Sequence, residues 1–224
     1  MRINTIYRAC EGEGIWIGAP QVFIRTQGCS VRCKNCDTLN SWNPNHGTEM
    51  SINEIVEKVS EFGLNRVSIT GGNPLEAQGM VNFIGELKRK GYVTNIEATG
   101  QDFDKEVFDL VDFISCDIKP PSTGVCANLE NIVNTLKLYN HKMQLKVVCA
   151  TDEDLDFIVV CYKILKNQLG LCPFVITPCY TERDNDFDYE MIKKALNRIM
   201  DEKLSIRVIM QQHKVVFGSK RVDV

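Results

Sequence analysis

Cys29, Cys33 and Cys36 lie in the run Gly28-Cys29-Ser30-Val31-Arg32-Cys33-Lys34-Asn35-Cys36-Asp37-Thr38, with the spacing Cys-x3-Cys-x2-Cys. Thiolates this close together can grip three corners of a metal cluster and leave a fourth corner open for chemistry. Iron–sulfur clusters are held by cysteines at short spacings of this kind. A closed structural zinc site needs four protein ligands, and none follows nearby in the expected pattern. A zinc site completed by a distant cysteine stays open at this point.

Other polar groups punctuate the chain at intervals. Gly71-Gly72-Asn73-Pro74, Glu97-Ala98-Thr99-Gly100, Asp117-Ile118-Lys119 and Gln211-Gln212-His213-Lys214 each follow a short apolar run. Arg25 sits near the end of another such run, Gln21 to Thr26, just before the cysteines. A guanidinium there offers a planar fork for a carboxylate; the plainer reading is a surface arginine. Thr38, taken alone, reads as a turn or helix cap, and His213 as a strand-end histidine. His46 and His141 have no suggestive surroundings. Cys149, Cys161 and Cys172 lie among apolar residues and read as small buried hydrophobes.

The elements that must position these groups alternate. Strands are expected at 21–26, 66–70, 92–97, 113–118, 144–149, 174–177 and 205–210. Helices are expected at 52–62, 80–90, 103–110, 129–138, 155–169 and 189–200. Ser51 and Glu54 have the spacing of a capping box at the first helix. Strands alternating with helices imply a largely parallel sheet with right-handed crossovers. Eight such units would close a full barrel; this chain falls short, so the expectation is an α/β open partial (β/α)6 TIM-like barrel. The C-terminal ends of parallel strands share one face, where ligands bind. The cysteine loop and the other polar segments would meet there.

Bulk properties narrow the class. The 224 residues suit one domain, 1–224, and 44% hydrophobic with 25% charged residues is an ordinary globular balance. A net charge of -3 argues against a broad nucleic-acid surface. No segment has the roughly 20 apolar residues needed to span a bilayer, and Met1-Arg2-Ile3-Asn4-Thr5 lacks a signal-peptide core. A cytoplasmic protein with no membrane or nucleic-acid partner is expected.

The cysteine spacing followed by Gly71-Gly72-Asn73-Pro74 resembles the radical S-adenosylmethionine (SAM) superfamily. There, three cysteines bind a [4Fe-4S] cluster and the methionine moiety of SAM chelates the fourth iron. A Gly-Gly-Glu-Pro segment usually meets the methionine amino group; Asn73 keeps an acceptor oxygen but not the charge. The likeness narrows further. Cys10-Glu11-Gly12-Glu13-Gly14, Gly18-Ala19-Pro20, Phe23-Ile24-Arg25, Cys36-Asp37-Thr38, Glu97-Ala98-Thr99-Gly100, Lys119-Pro120-Pro121-Ser122 and Ile206 to Lys214 are together similar, in order, to the 7-carboxy-7-deazaguanine synthases.

That resemblance implies ring contraction of 6-carboxy-5,6,7,8-tetrahydropterin to 7-carboxy-7-deazaguanine, with loss of ammonia, initiated by a SAM-derived radical. It implies Cys29, Cys33 and Cys36 as cluster ligands and Thr38 as a Mg2+ ligand. It places SAM at Asn35, Cys36, Asp37, Gly71, Gly72, Asn73, Glu97, Gly100, Asp117, Ile118, Lys119 and Gln211. It places substrate at Cys10, Glu11, Gly12, Arg25, Ala98 and His213. A homodimer and a flavodoxin-type electron donor are also implied. The sequence departs from the family at Ala98, Ile118 and Met210, which puts individual contacts in question more than the reaction class. Two alternatives remain: a glycyl-radical-enzyme activase, and a non-enzymatic iron–sulfur or metal-binding module.

Overall fold

The computed structural model describes residues 1–179 and 189–218, with the backbone of 182–183 and 186–187. In chain order the strands and helices are β1 (Arg2–Cys10), β2 (Pro20–Thr26), β3 (Thr48–Glu49), α1 (Ile52–Ser60), β4 (Arg66–Gly71), α2 (Met80–Arg89), β5 (Val93–Ala98), α3 (Lys105–Leu110), β6 (Phe113–Asp117), α4 (Leu129–Tyr139), β7 (Met143–Cys149), α5 (Asp152–Leu165), β8 (Phe174–Pro178), β9 (Glu182–Arg183), β10 (Asp186–Phe187), α6 (Glu190–Asp201), β11 (Arg207–Val208) and α7 (Gln212–Phe217).

Nine strands form one open sheet in the order β11-β8-β7-β6-β5-β4-β2-β1-β3. From β2 to β11 every pairing is parallel. Six strand–helix units, β2/α1 through β8/α6, therefore run side by side without closing, followed by the short β11. This is the expected open (β/α)6 arrangement. The sequence reading missed the other edge: β1 pairs antiparallel with β2, and β3 with β1. The segment Arg2–Cys10 mixes polar and apolar residues with no strict alternation, as suits a strand covered on its outer side only at Arg2 and Ile3 by the two-residue β3. The last strand is shorter than expected, and Gln212–Phe217 turns into a helix.

Side-chain alternation divides the sheet into two faces. Val67, Ile69, Ile96, Ile114, Leu145 and Val147 are fully buried and join the helix-covered core with Phe83, Leu87, Leu136, Ile158 and Leu165. Their neighbours one residue away carry polar groups: Ser68, Asn95 and Glu97, Ser115 and Asp117, Gln144 and Lys146. These cross-link strand to strand. Asn95 donates to Ser68 Oγ at 3.0 Å and Gln144 to Ser115 Oγ at 2.9 Å. Most of these polar atoms find partners, as buried groups require; among the described residues, Asn95 Oδ1 and Asp117 Oδ1 do not accept a hydrogen bond.

The helices start where the sequence provides caps. Ser51 and Glu54 form the expected capping box on α1, each side chain reaching the other's backbone N–H. Thr151 and Asp154 form a second one and start α5 three residues earlier than the periodicity suggests. Buried Asp154 also accepts from the Ser122 N–H at 2.9 Å, tying α5 to the loop after β6.

Candidate active site

The polar face of the sheet and the loops at its C-terminal end enclose a cavity of about 360 Å³. Its wall carries Cys29, Cys33 and Cys36, Gly71 and Gly72, Arg25, Glu97, Asp117, Lys119, Lys146 and His213. The expected residues Cys10, Glu11, Gly12, Asn35, Asp37, Thr38, Ala98, Ile118 and Gln211 line it as well. Nearly the whole predicted set thus converges.

The cysteine loop is fixed by its backbone. Gly28 N–H donates to Ser41 O at 2.8 Å and Cys29 N–H to Trp42 O at 3.2 Å; Asn73 N–H reaches Gly28 O at 2.8 Å and Lys34 N–H reaches Thr123 O at 2.8 Å. The turn after β4 therefore packs directly on the loop. A Cβ on Gly72 would stand 2.2 Å from the Gly28 carbonyl oxygen, so this approach admits only glycine. Cys29 is buried while Cys33 and Cys36 are partly open. Burial pushes the Cys33 thiol up, against a partial pull from the Lys119 ammonium.

Among the described residues, no three His, Cys, Asp or Glu side chains converge on one point as a single ion requires. A four-iron cluster asks something else of its ligands, since each thiolate meets a different iron. Three cysteines on one short loop at the cavity wall fit an iron–sulfur cluster with an open corner. The Thr38 hydroxyl makes no capping hydrogen bond and lies 3.5 Å from Cys36 Sγ. The cap role that its sequence context suggests is therefore not used.

Two expected residues lie off the cavity wall, Asn73 and Gly100. The buried Asn73 amide donates to Glu76 at 2.9 Å and to Asp102 at 2.5 Å, and its carbonyl accepts from Leu75 N–H. It caps the short turn at Pro74–Glu76. Gly100, at φ +73°, passes so close to β6 that a Cβ would sit 2.0 Å from Asp117 O. Both shape the site from behind.

The substrate-facing candidates occupy a second group. Arg25, half-buried on β2, donates to the Tyr7 hydroxyl at 3.1 Å, and Tyr7 stacks on Phe23. Glu11 is buried; it accepts from Gln21 Nε2 at 2.7 Å and Glu13 N–H at 3.1 Å. Burial, reinforced by the nearby Glu97 charge, pushes its pKa up to about 8. Burial likewise raises Glu97, which Lys146 only partly offsets. Glu13 and Asp117 are partly buried, but the adjacent lysines outweigh that burial and hold both below the usual carboxylate range. Asp117 pairs with Lys119 at 2.9 Å. The charges of Glu13 and Asp117 are set against those of Lys146 and Lys119. His213 is pushed toward its neutral form by burial. Its ring fills the space over Gly12, where a Cβ would stand 1.9 Å from Nδ1.

Sequence reasoning passed over Lys146. The available signal was its alternation with Gln144 inside an otherwise apolar strand, Met143–Cys149. A polar pair at period two in a central strand marks a face that lines something other than the core.

Comparison with known proteins agrees with this geometry. Residues 10–117 match the model of the 4Fe-4S single cluster domain family. The chain is 30% identical to the 7-carboxy-7-deazaguanine synthase of Thermoplasma acidophilum over 219 residues, covering 97% of this chain and 98% of the relative. It is 29% identical to the Bacillus subtilis enzyme of that name, over 94% and 93% of the two chains. Among solved structures, QueE from Escherichia coli superposes with a TM-score of 0.72 at 19% identity, covering 95% and 94%. Streptococcus suis SuiB, solved bound to S-adenosylmethionine, gives 0.58 over 86% of this chain and 47% of its own. These structural likenesses establish the radical SAM type of fold. On full-length sequence identity, the chain belongs to the 7-carboxy-7-deazaguanine synthase family.

Proposed function

We propose that this protein converts 6-carboxy-5,6,7,8-tetrahydropterin to 7-carboxy-7-deazaguanine and ammonia as a radical SAM carbon–nitrogen lyase, working as a single domain, 1–224. One observation carries the reading: a single cavity gathers the three cysteines, the Gly71-Gly72 edge, Arg25, Glu11-Gly12 and His213, in a chain matched along its length to synthases of that name.

Cys29, Cys33 and Cys36 hold the [4Fe-4S] cluster. The backbone edge of Gly71-Gly72, with Glu97, Asp117, Lys119 and Gln211, holds SAM. Together these cofactors supply, when bound, the one-electron chemistry that starts hydrogen abstraction from the substrate. The residues of the chain do the rest. Arg25 clamps the substrate carboxylate through two parallel N–H donors, and Tyr7 fixes the guanidinium. The Glu11 to Glu13 loop presents backbone groups and the Glu11 carboxyl to the edge of the heterocycle. Glu11 retains its proton around neutrality and so donates as well as accepts. Neutral His213 donates or accepts a hydrogen bond beside Gly12. The nitrogen that departs must take up a proton, and the Glu11 carboxyl is the proposed source. The Thr38 hydroxyl, free of capping duty, would be the protein ligand for a Mg2+, an ion that keeps waters and needs few protein oxygens and would supply Lewis-acid stabilisation of negative charge. A flavodoxin-type protein supplies the electron, and the enzyme works as a homodimer in the cytoplasm. Among the described residues no helix is long and apolar enough to cross a membrane.

The test is anaerobic reconstitution followed by turnover with carboxytetrahydropterin, SAM and dithionite. Formation of 7-carboxy-7-deazaguanine is expected. A cluster whose EPR signal ignores SAM would sink the radical SAM assignment. SAM binding without deazaguanine would leave the fold standing and move the substrate toward that of a glycyl-radical activase.

A further inference from the structure

Lys146 stands in β7 with its side chain only 7% exposed, facing three carboxylates. Its ammonium makes a close ion pair with Glu13 Oε2, lies 3.4 Å from Asp117 Oδ1 and 3.9 Å from Glu97 Oε2. Register places it beside Asp117, its direct partner across the β6–β7 ladder. A buried ammonium has three N–H donors, and each of these acids comes from a different part of the fold.

Glu13 has a second engagement. Its other oxygen, Oε1, accepts from Gln211 Nε2 at 2.5 Å. One residue on, Gln212 N–H donates to Gly12 O at 2.9 Å, and His213 packs over Gly12. The 11–13 loop thus grips the C-terminal segment at successive residues. Among the described residues, the other side-chain anchor of α7 is the Lys214 pair with Asp37 at 3.4 Å. β11 contributes two residues to the sheet edge, and no side chain of α7 is buried. Gln211, by contrast, is 4% exposed. A six-residue helix with no buried face is not stable by itself, so its place depends on polar contacts, those at its start and the Lys214–Asp37 pair.

We propose that Lys146 is a positioning residue: by holding Glu13 it sets the Glu13–Gln211 contact, latches the C-terminal segment, and so keeps His213 at the Gly12 edge of the cavity. Lys146 need not touch substrate to do this. The charge balance supports the role. Burial alone would lower the Lys146 pKa, yet Asp117, Glu13 and Glu97 hold it well above the usual lysine value, so it stays charged. The facing titratable groups are Glu11 and Glu13 on the loop after β1, Glu97 on β5, Asp117 on β6 with Lys119 following it, and His213 and Lys214 on α7. Without Lys146, Glu13 loses its fixed partner while facing Glu97 and Asp117.

The reading of His213 as a substrate contact rests on the proposed function; the latch itself does not. The experiment uses the reconstituted holoenzyme and three variants: Lys146→Met, Glu13→Gln and the double substitution. Hydrogen exchange at residues 211–217 is expected to rise at least tenfold in each single variant, with iron content unchanged. The KM for carboxytetrahydropterin should rise about tenfold while kcat changes less. The double variant should be no worse than the worse single, as coupled residues require. Native-like exchange protection at 211–217 in either single variant overturns the proposal, as do additive effects in the double. If Lys146→Met is insoluble, Glu13→Gln alone gives the exchange readout. If the wild type forms no deazaguanine, the functional reading falls and exchange still judges the latch.

Discussion

The two ends of the cavity are built by different forces. The cysteine loop is held by backbone: Gly28, Cys29, Lys34 and Asn73 each commit a main-chain N–H to a neighbouring carbonyl, and the glycines let the strands of chain touch. The other end is held by side-chain charge: Glu11, Glu13, Glu97 and Asp117 against Lys146 and Lys119. A backbone cradle is indifferent to pH but intolerant of a single added carbon. A cluster of buried and partly buried charges tolerates isosteric change but answers to protons. The first suits a site that must hold a preformed inorganic group in fixed geometry. The second suits one that must accept an anionic substrate and deliver a proton.

Breaking the backbone end should cost most. Cys33→Ala removes one of three ligands and is expected to abolish cluster and turnover while leaving a soluble fold; iron and sulfide counting with the visible spectrum checks it. Retained cluster and activity would refute the assigned ligands. Gly72→Ala tests the cradle itself. Its methyl must displace the Gly28 carbonyl, 2.2 Å away, and overpacking of this kind costs about 1–3 kcal/mol. The expected result is a lower denaturation midpoint with reduced iron incorporation. A normal iron content would show that the loop can move aside.

Arg25→Ala probes the substrate end with a smaller effect. Losing a charge-assisted contact costs about 1.5–3 kcal/mol, so KM for carboxytetrahydropterin should rise roughly 10- to 150-fold, since about 1.4 kcal/mol is a factor of ten. Cluster content should not change. Unchanged kinetics would exclude Arg25 as the carboxylate clamp.

The same contrast explains what could be read in the sequence. Cys29, Cys33 and Cys36 are local in the chain, so their spacing alone announced a cluster. Gly71-Gly72 and Gly12 were legible because close backbone approach demands glycine. The charge cluster is different. Glu13 and Lys146 are 133 residues apart and meet only because β7 stands where it does in the sheet. Nothing in either local sequence names the other. Asn73 shows a different limit. Its motif suggested an acceptor for SAM, while its hydrogen bonds to Asp102 and Glu76, which make it a cap, are not written in the motif. The neighbours that decided this lie after β5 and in the turn itself. Strand β1 escaped notice because β3 covers only its first two residues on one side, which leaves a weak pattern of burial.

The finest distinction between the two ends is proton linkage, and Glu11→Gln isolates it. Glu11 ionises near 4.5 when unfolded and near 8 when folded. Between those values the folded chain binds more protons than the unfolded one, so stability falls as pH rises. The contribution is fully present below about 4.5 and lost by the time pH passes about 8. Glu97, also raised by burial, acts in the same sense. Glu13 and Asp117 act oppositely, since their lowered values give stability that is present above the ordinary carboxylate range and lost in acid. Chemical denaturation at a series of pH values should therefore give a shallower decline between pH 5 and 8 for the Glu11→Gln variant than for wild type. One proton accounts for at most about 1.4 kcal/mol per pH unit. Parallel curves across that window would mean that Glu11 is already ionised in the folded protein, and that the charge balance of the cavity is struck by a different pair.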